Sequence, residues 1–160
     1  MGQTLKKMLQ TWNSKLTIII DTREQLPLWQ VTAGGCVRMK LEVGDYTTLK
    51  LYGKAHIERK SPQDLYQTIT SGHNRFRKEI LRSQELNIEL PIFVECSLRR
   101  FVNKTFKRGN TLKVPGTTLC KIINTLKSRY DLDFVWCKNR EDMRKKVIEW
   151  LTKKQANYKA

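Results

Sequence analysis

The sequence predicts an α/β fold: a mixed central β-sheet flanked by helices. Three observations predict it. Short runs rich in β-branched and aromatic residues, at 16–20, 91–96 and 132–137, alternate with longer amphipathic segments. The breaks between them carry Gly, Pro, Asn and Ser, the residues that suit turns and helix caps. The chain has 160 residues, enough for one domain to bury a core without disulfides, and it carries no internal repeat.

Residues 1–15 are polar and basic and read as an arm or a short helix. Leu16 to Ile20 is the continuous apolar run of a buried strand. The stretch 22–35 holds Pro27, Gly34 and Gly35 and reads as a loop, with a helical turn near Leu28 and Trp29. Val37, Met39 and Leu41 alternate with Arg38 and Lys40, which predicts a second strand. Residues 45–52 and 55–59 read as a hairpin about Gly53-Lys54. Ser61, Pro62 and Asp64 have the spacing of an N-cap, a first helical position and a capping box, so a helix is expected over 62–70. Ser71-Gly72-His73 breaks it, and a second helix follows over 74–86. The run 91–96 is a buried strand. Leu119, Ile122, Ile123 and Leu126 share one face of a helix over 117–129. A last strand over 132–137 precedes a helix over 141–152 with Met143, Val147, Trp150 and Leu151 as its stripe, and 153–160 reads as a tail. Trp150 has little following sequence to cover it. Its stripe either covers a sheet face or, as expected here, joins two copies into a homodimer through the C-terminal helices.

The charge balance narrows the partners. Thirty-one Lys and Arg against fifteen Asp and Glu leave +16, which points to a polyanion, with nucleic acid as the default. No apolar stretch reaches the length of a membrane span, and no basic amphipathic anchor favours acidic lipid. The first fifteen residues lack the apolar run of a secretory signal. Cys36, Cys96, Cys120 and Cys137 are scattered, and three lie on apolar strand-like runs. Free thiols in a reducing intracellular compartment (cytoplasm, nucleoid or nucleus) are expected. His56 and His73 lack zinc-site spacing with them.

The chemistry concentrates in Gly44-Asp45-Tyr46 and in Glu58-Arg59-Lys60-Ser61-Pro62-Gln63-Asp64. Side chains alternate along a strand, so Glu58 and Lys60 point the same way, and the hairpin brings Asp45 beside them. Two carboxylates suit a hard divalent cation, Mg2+ or Mn2+. A lysine there orients water or meets a phosphate, which is the equipment of metal-assisted phosphodiester hydrolysis. Taken alone, Glu-x-Lys is also an ordinary solvated pair, and the Ser-Pro-x-Asp run marks a strand-to-helix junction with or without chemistry. Upstream, Asp21 and Glu24 close the first strand.

Gly44-Asp45, a variable hairpin, Glu58-Arg59-Lys60 with Asp64, and Asp21 with Glu24 together resemble the XPF-type structure-specific nuclease domain. That family is marked by GD, ERK-x-x-x-D and a preceding D-x-x-E. The resemblance covers about residues 16–152 and implies a restriction-endonuclease-like core. It further implies a Mg2+-dependent DNA endonuclease of repair and recombination, acting on branched, flap or fork structures. Asp45 and Glu58 would hold the metal, with Asp21 and Glu24 as direct or water-mediated ligands. Lys60 would orient or help deprotonate the attacking water. Arg59 would meet a phosphate or brace the site, and Asp64 would cap its helix and hold Lys60 or Arg59. Family members pair through C-terminal elements and commonly carry a helix-hairpin-helix module. No room for that module is expected in this chain, so selection of the DNA is expected to come from the nuclease domain itself, from a dimer partner, or from a separate DNA-targeting protein. The rival reading is a non-catalytic DNA-binding partner subunit; such subunits have lost parts of the acidic motif, which is complete here.

Two basic regions remain. Arg75 and Arg77 open the second helix. The family usually has a glutamine four residues after the arginine, where this chain has Glu79. Arg75 therefore either pairs with Glu79 or contacts DNA. From Cys96 to Tyr130 there is no acid, and Arg99, Arg100, Lys104, Lys107, Arg108 and Lys113 accumulate around Phe101 and Phe106. This stretch either tracks phosphates with an aromatic to stack on a base, or is a solvated loop anchored by its phenylalanines.

Overall fold

The computed structural model describes residues 16–31, 35–107 and 112–158. The expected basic arm (1–15) and Arg108 lie outside them. Strand β1 (Ile18–Ile20) is parallel to β2 (Cys36–Arg38) and antiparallel to β3 (Tyr46–Thr48). Strands β4 (Glu58–Lys60), β5 (Ile92–Val94) and β6 (Phe134–Trp136) are parallel in that order. An antiparallel pair, Tyr46 with Ile57, links β3 to the entry of β4 and makes one mixed surface of the two halves.

Alternation on β5 sorts the core into two layers. Phe93 faces the side that Ile18, Ile20 and Tyr46 share with Met143, Val147 and Leu151 of α5 (Arg140–Asn157). Ile92 and Val94 face the other side. There they meet Leu65 of α1 (Pro62–Thr70), Phe76 and Ile80 of α2 (His73–Glu85), and Leu119, Ile123 and Leu126 of α4 (Gly116–Tyr130). The sheet is thus covered on both faces, as an α/β fold requires.

Several local expectations differ from the structure. The hairpin shrinks to the Tyr46–Ile57 pair, because the chain turns after Thr48 and buries Leu51, whose carbonyl accepts from the backbone N–H groups of Lys54 and Ala55. The acid-free stretch opens with a short helix, α3 (Leu98–Val102), capped by Ser97, whose hydroxyl accepts from Arg100 N–H. Five residues are too few to show a helical period. The last helix continues to Asn157 instead of ending in a tail, held where Thr48 Oγ1 donates to Gln155 Oε1 at 2.8 Å and Lys154 pairs with Glu89. Trp150 meets Phe93 edge-on, centroids 6.3 Å apart. The stripe of α5 therefore covers a sheet face, and the dimer expectation loses the open patch that motivated it. The four cysteines are free thiols, and burial pushes Cys36 up to about 11 and Cys137 up to about 12.

Candidate active site

The site begins with a backbone constraint. Gly44 has φ +78°, and a Cβ there would sit 2.9 Å from Leu90 Cδ1 and 3.1 Å from the Ile57 carbonyl oxygen. Glycine is the residue that tolerates both the conformation and the approach. Next to it, buried His56 accepts from Gly53 N–H at Nε2 (3.0 Å), so Nδ1 carries the proton and donates to the Val43 carbonyl at 2.7 Å. Burial lowers the imidazole pKa and keeps the ring neutral in this role. One side chain thus ties the segment entering Asp45 to the turn before β4.

Asp45 is placed by its main chain: its N–H donates to Ile57 and its carbonyl accepts from Asp21. Its Oδ2 accepts the backbone N–H of Arg59 at 2.8 Å. Glu58 is buried, with Lys60 Nζ 2.9 Å from its Oε1 and over the Phe76 ring at 5.7 Å. Burial pushes Asp45 up to about 7, and the charge of Glu24 adds to the shift. Burial, then the neighbouring Asp45, pushes Glu58 well above the usual carboxylate range. Burial alone would lower Lys60, but the charge and hydrogen bond of Glu58, with the charges of Glu79 and Asp45, together outweigh it and raise the pKa, so the amine stays an ammonium. Two desolvated carboxylates and one ammonium therefore share a small volume, the arrangement found where buried charge is kept for chemistry.

These three groups form the floor of an open cleft of about 670 Å³. Asp21 and Arg23 also line it, as do Arg75, Lys78, Glu79 and Arg82 of α2. Arg82 is paired with Glu42, and Arg23 with Asp21. Of the two alternatives for Arg75, the pair with Glu79 is not formed among the described residues, and Arg75 and Lys78 make no ion pair there. Arg23, Lys78, Glu79 and Arg82 were missed as cleft residues by the sequence. The signal was present, since positions 75, 78, 79 and 82 share one face of a helix whose other face buries Phe76 and Ile80.

The remaining acids serve the frame. Asp21 accepts from Leu41 N–H at Oδ1 and from Arg23 at Oδ2, both at 2.7 Å. Glu24 takes Arg59 in a fork, Nε to Oε2 at 2.9 Å and the terminal nitrogen to Oε1 at 3.0 Å, and also accepts from Leu26 N–H and Tyr46 O–H. It does not line the cleft. Arg59 turns to the α5 side of the sheet, beside Phe93, and also lies 3.5 Å from Glu95. Of its two expected roles, bracing is the one this geometry performs. Asp64 exchanges bonds with Ser61, Oγ to Oδ2 at 2.7 Å and N–H to Oγ at 3.1 Å; its bonds stop there and reach neither Lys60 nor Arg59.

The acid-free stretch is separate from the cleft. None of Arg99, Arg100, Lys104, Lys107 or Lys113 lines it, and neither does Arg77. Phe101 is fully buried with Phe106 stacked on it at 5.5 Å, so these rings anchor the segment and Phe101 offers no face to a base. No helix among the described residues is long and apolar enough to cross a membrane.

The fold is similar to that of solved structures. XPF from Aeropyrum pernix superposes with a TM-score of 0.63 at 19% identity, covering 88% of this chain and 65% of that one. The same protein in complex with DNA gives 0.62 at 20% identity, covering 87% and 64%. The chain thus spans just under two thirds of the length of these structures. Comparison with curated protein sequences gave no match. The family model for the ERCC4 domain matches residues 20–151, nearly the whole described fold, and on that match the chain belongs to the ERCC4 domain family.

Proposed function

We propose that the chain is a DNA endonuclease that hydrolyses phosphodiester bonds with the help of a divalent cation. The observation that carries the reading is the pair of carboxylates, buried Glu58 and half-buried Asp45, beside the Lys60 ammonium at the floor of a cleft whose wall carries Arg75 and Lys78, without ion-pair partners among the described residues. The donor set fits Mg2+ or Mn2+: the two carboxylates line one cleft and both offer oxygen only. Mg2+ is characteristically held by one or two carboxylates, with water and substrate phosphate completing its shell. Asp45 and Glu58 would hold it, and when bound it supplies charge neutralisation for the phosphate under attack.

The chain's own residues do the rest. Arg75 and Lys78 on α2 receive the DNA backbone and bring one phosphate over the floor. Lys60, an ammonium, donates hydrogen bonds; it orients the attacking water or meets a non-bridging oxygen, and it does not act as a base. The water oxygen bonds to phosphorus as the ester P–O bond breaks, leaving one phosphate end and one hydroxyl end. Asp21 and Glu24 act from behind, Asp21 by fixing Leu41 and Arg23 at the rim and Glu24 by clamping Arg59. A partner (a second copy or a separate DNA-targeting protein) would extend the grip beyond the cleft and select the branched, flap or fork structure.

The test is a cleavage panel of flap, fork, splayed-arm, four-way-junction and plain duplex DNA, each with Mg2+, Mn2+ or chelator. Cutting of branched substrates only with metal is expected. Binding without cutting under every condition would replace the enzyme with a non-catalytic DNA-binding subunit.

A further inference from the structure

The face of the sheet opposite the cleft carries an ion-pair chain that ends at the site. Arg140, the first residue of α5, places NH1 3.0 Å from Glu95 Oε1. The same Glu95 oxygen lies 3.5 Å from Arg59, and Arg59 forks onto Glu24. Signs alternate along the chain. Side-chain exposure falls inward, from 31% at Arg140 through 19% at Glu95 and 11% at Arg59 to 7% at Glu24. Charge-assisted bonds gain strength as water is excluded, so the inner links are the stiff ones.

Arg140 also donates its other terminal nitrogen to the carbonyls of Leu26 at 2.6 Å and Pro27 at 2.8 Å. These residues closely follow Glu24. One guanidinium therefore fixes both Glu95 and the loop that carries Glu24, the two acids between which Arg59 is held. At the far end, the Arg59 backbone N–H is the bond that orients Asp45 Oδ2.

We propose that Arg140 is a positioning residue of the catalytic floor, acting through Glu95 and Arg59 on the orientation of Asp45. It touches neither substrate nor metal. The proposal rests on the reading of Asp45 as a metal-holding carboxylate. Partners that orient a ligating group typically change metal affinity by about 10–100-fold when removed. Arg140 is more than one bond removed from Asp45, so the lower end of that range is expected.

The experiment uses the full chain with Arg140→Met, and Arg144→Met as the control. Arg144 springs from the same helix and donates to the Leu28 carbonyl at 2.7 Å, on the same loop, without reaching Glu95. Mn2+ affinity is read by paramagnetic titration, hydrogen exchange of the Arg59 amide by mass spectrometry, and thermal stability alongside. Arg140→Met is expected to weaken Mn2+ binding about tenfold and speed Arg59 amide exchange, with Arg144→Met within about twofold of the parent for Mn2+. Equal Mn2+ affinity and unchanged Arg59 exchange in Arg140→Met, with the parent binding normally, would overturn the positioning role alone. Equal weakening in both variants would also overturn it, reducing Arg140 to a loop fastener. A parent chain that neither binds Mn2+ nor cuts DNA would overturn the reading of the cleft, and this inference with it.

Discussion

The floor of the cleft and its α2 wall are built on opposite terms. On the floor each charge is held in place: Glu58 by Lys60 and Asp45 by the Arg59 backbone, with the Arg59 side chain fixed behind the floor by Glu24. On the wall, Arg75 and Lys78 are exposed, and neither they nor Glu79 forms an ion pair among the described residues. Burying like-charged carboxylates is costly, and the folded protein bears that cost in their raised pKa values. The wall bears no such cost. Under the proposed function, orientation is concentrated where a bond would be broken, and long, hydrated side chains are left where a polyanion would be caught.

That contrast fails most visibly if the floor can lose a carboxylate without consequence. Asp45→Asn and Glu58→Gln nearly conserve shape and remove one charge each. Cleavage should fall by about 10³-fold or more, the upper scale for removing one directly acting group. DNA affinity should hold or rise, because a repelling charge near the phosphate has gone. Single-turnover cleavage beside a fluorescence-anisotropy titration reads both quantities. Near-parental cleavage in either variant would remove the floor from the mechanism.

Much of the floor was legible in the sequence, and the reasons are local. The Gly44-Asp45 motif marks the acid, Ser61 and Pro62 announce a helix, and alternation along a strand pairs Glu58 with Lys60. The same alternation sends Arg59 to the opposite face, so its removal from the cleft was also implied. Its partners were not, since Glu24 lies 35 residues away and Glu95 arrives from a different strand. The wall was half legible: the helical face of Arg75, Lys78, Glu79 and Arg82 follows from spacing, but which face meets Asp45 depends on how α2 packs on the sheet. The short α3 and the buried ring of Phe101 were illegible for a third reason. A basic, acid-free segment with interleaved aromatics has the same composition whether its rings face DNA or the core.

A second, smaller effect separates the wall from the acid-free stretch. Arg75→Ser with Lys78→Ser should weaken duplex binding and flatten the slope of log affinity against log salt by about 1.8, roughly 0.9 for each phosphate that is no longer neutralised. Cutting at saturating DNA should change far less than binding does. The set Arg99→Ser, Arg100→Ser, Lys104→Ser and Lys107→Ser tests the rival location for the DNA track. If the set flattens the slope and the α2 pair does not, the DNA runs along α3 and the wall is only a solvated face.

The smallest expected effect is thermal and distinguishes the floor by its protons. Asp45 takes a proton near pH 7 in the folded chain but near 3.8 when unfolded. Between those values the folded state binds more protons, so this group's stabilising contribution, full below the lower value, is lost as pH rises to about 7. A divalent cation on Asp45 and Glu58 needs the ionised forms and so competes with those protons. At pH 8, with free Mg2+ at about ten times its dissociation constant, binding adds about 1.4 kcal/mol, or about 3–6 °C for a domain of this size. At pH 6 Asp45 and Glu58, both with raised pKa values, hold protons more fully than at pH 8, so the affinity falls and the Mg2+ gain shrinks. Differential scanning fluorimetry at the two pH values, with Mg2+ against chelator, measures this difference. Asp45→Asn should shrink the Mg2+ shift itself and leave only the pH dependence that Glu58 carries, whereas Arg75→Ser should leave both intact, because the wall does not touch the protons that Mg2+ displaces. A Mg2+ shift of equal size at pH 6 and pH 8 in the parent would place the cation somewhere other than on these two carboxylates.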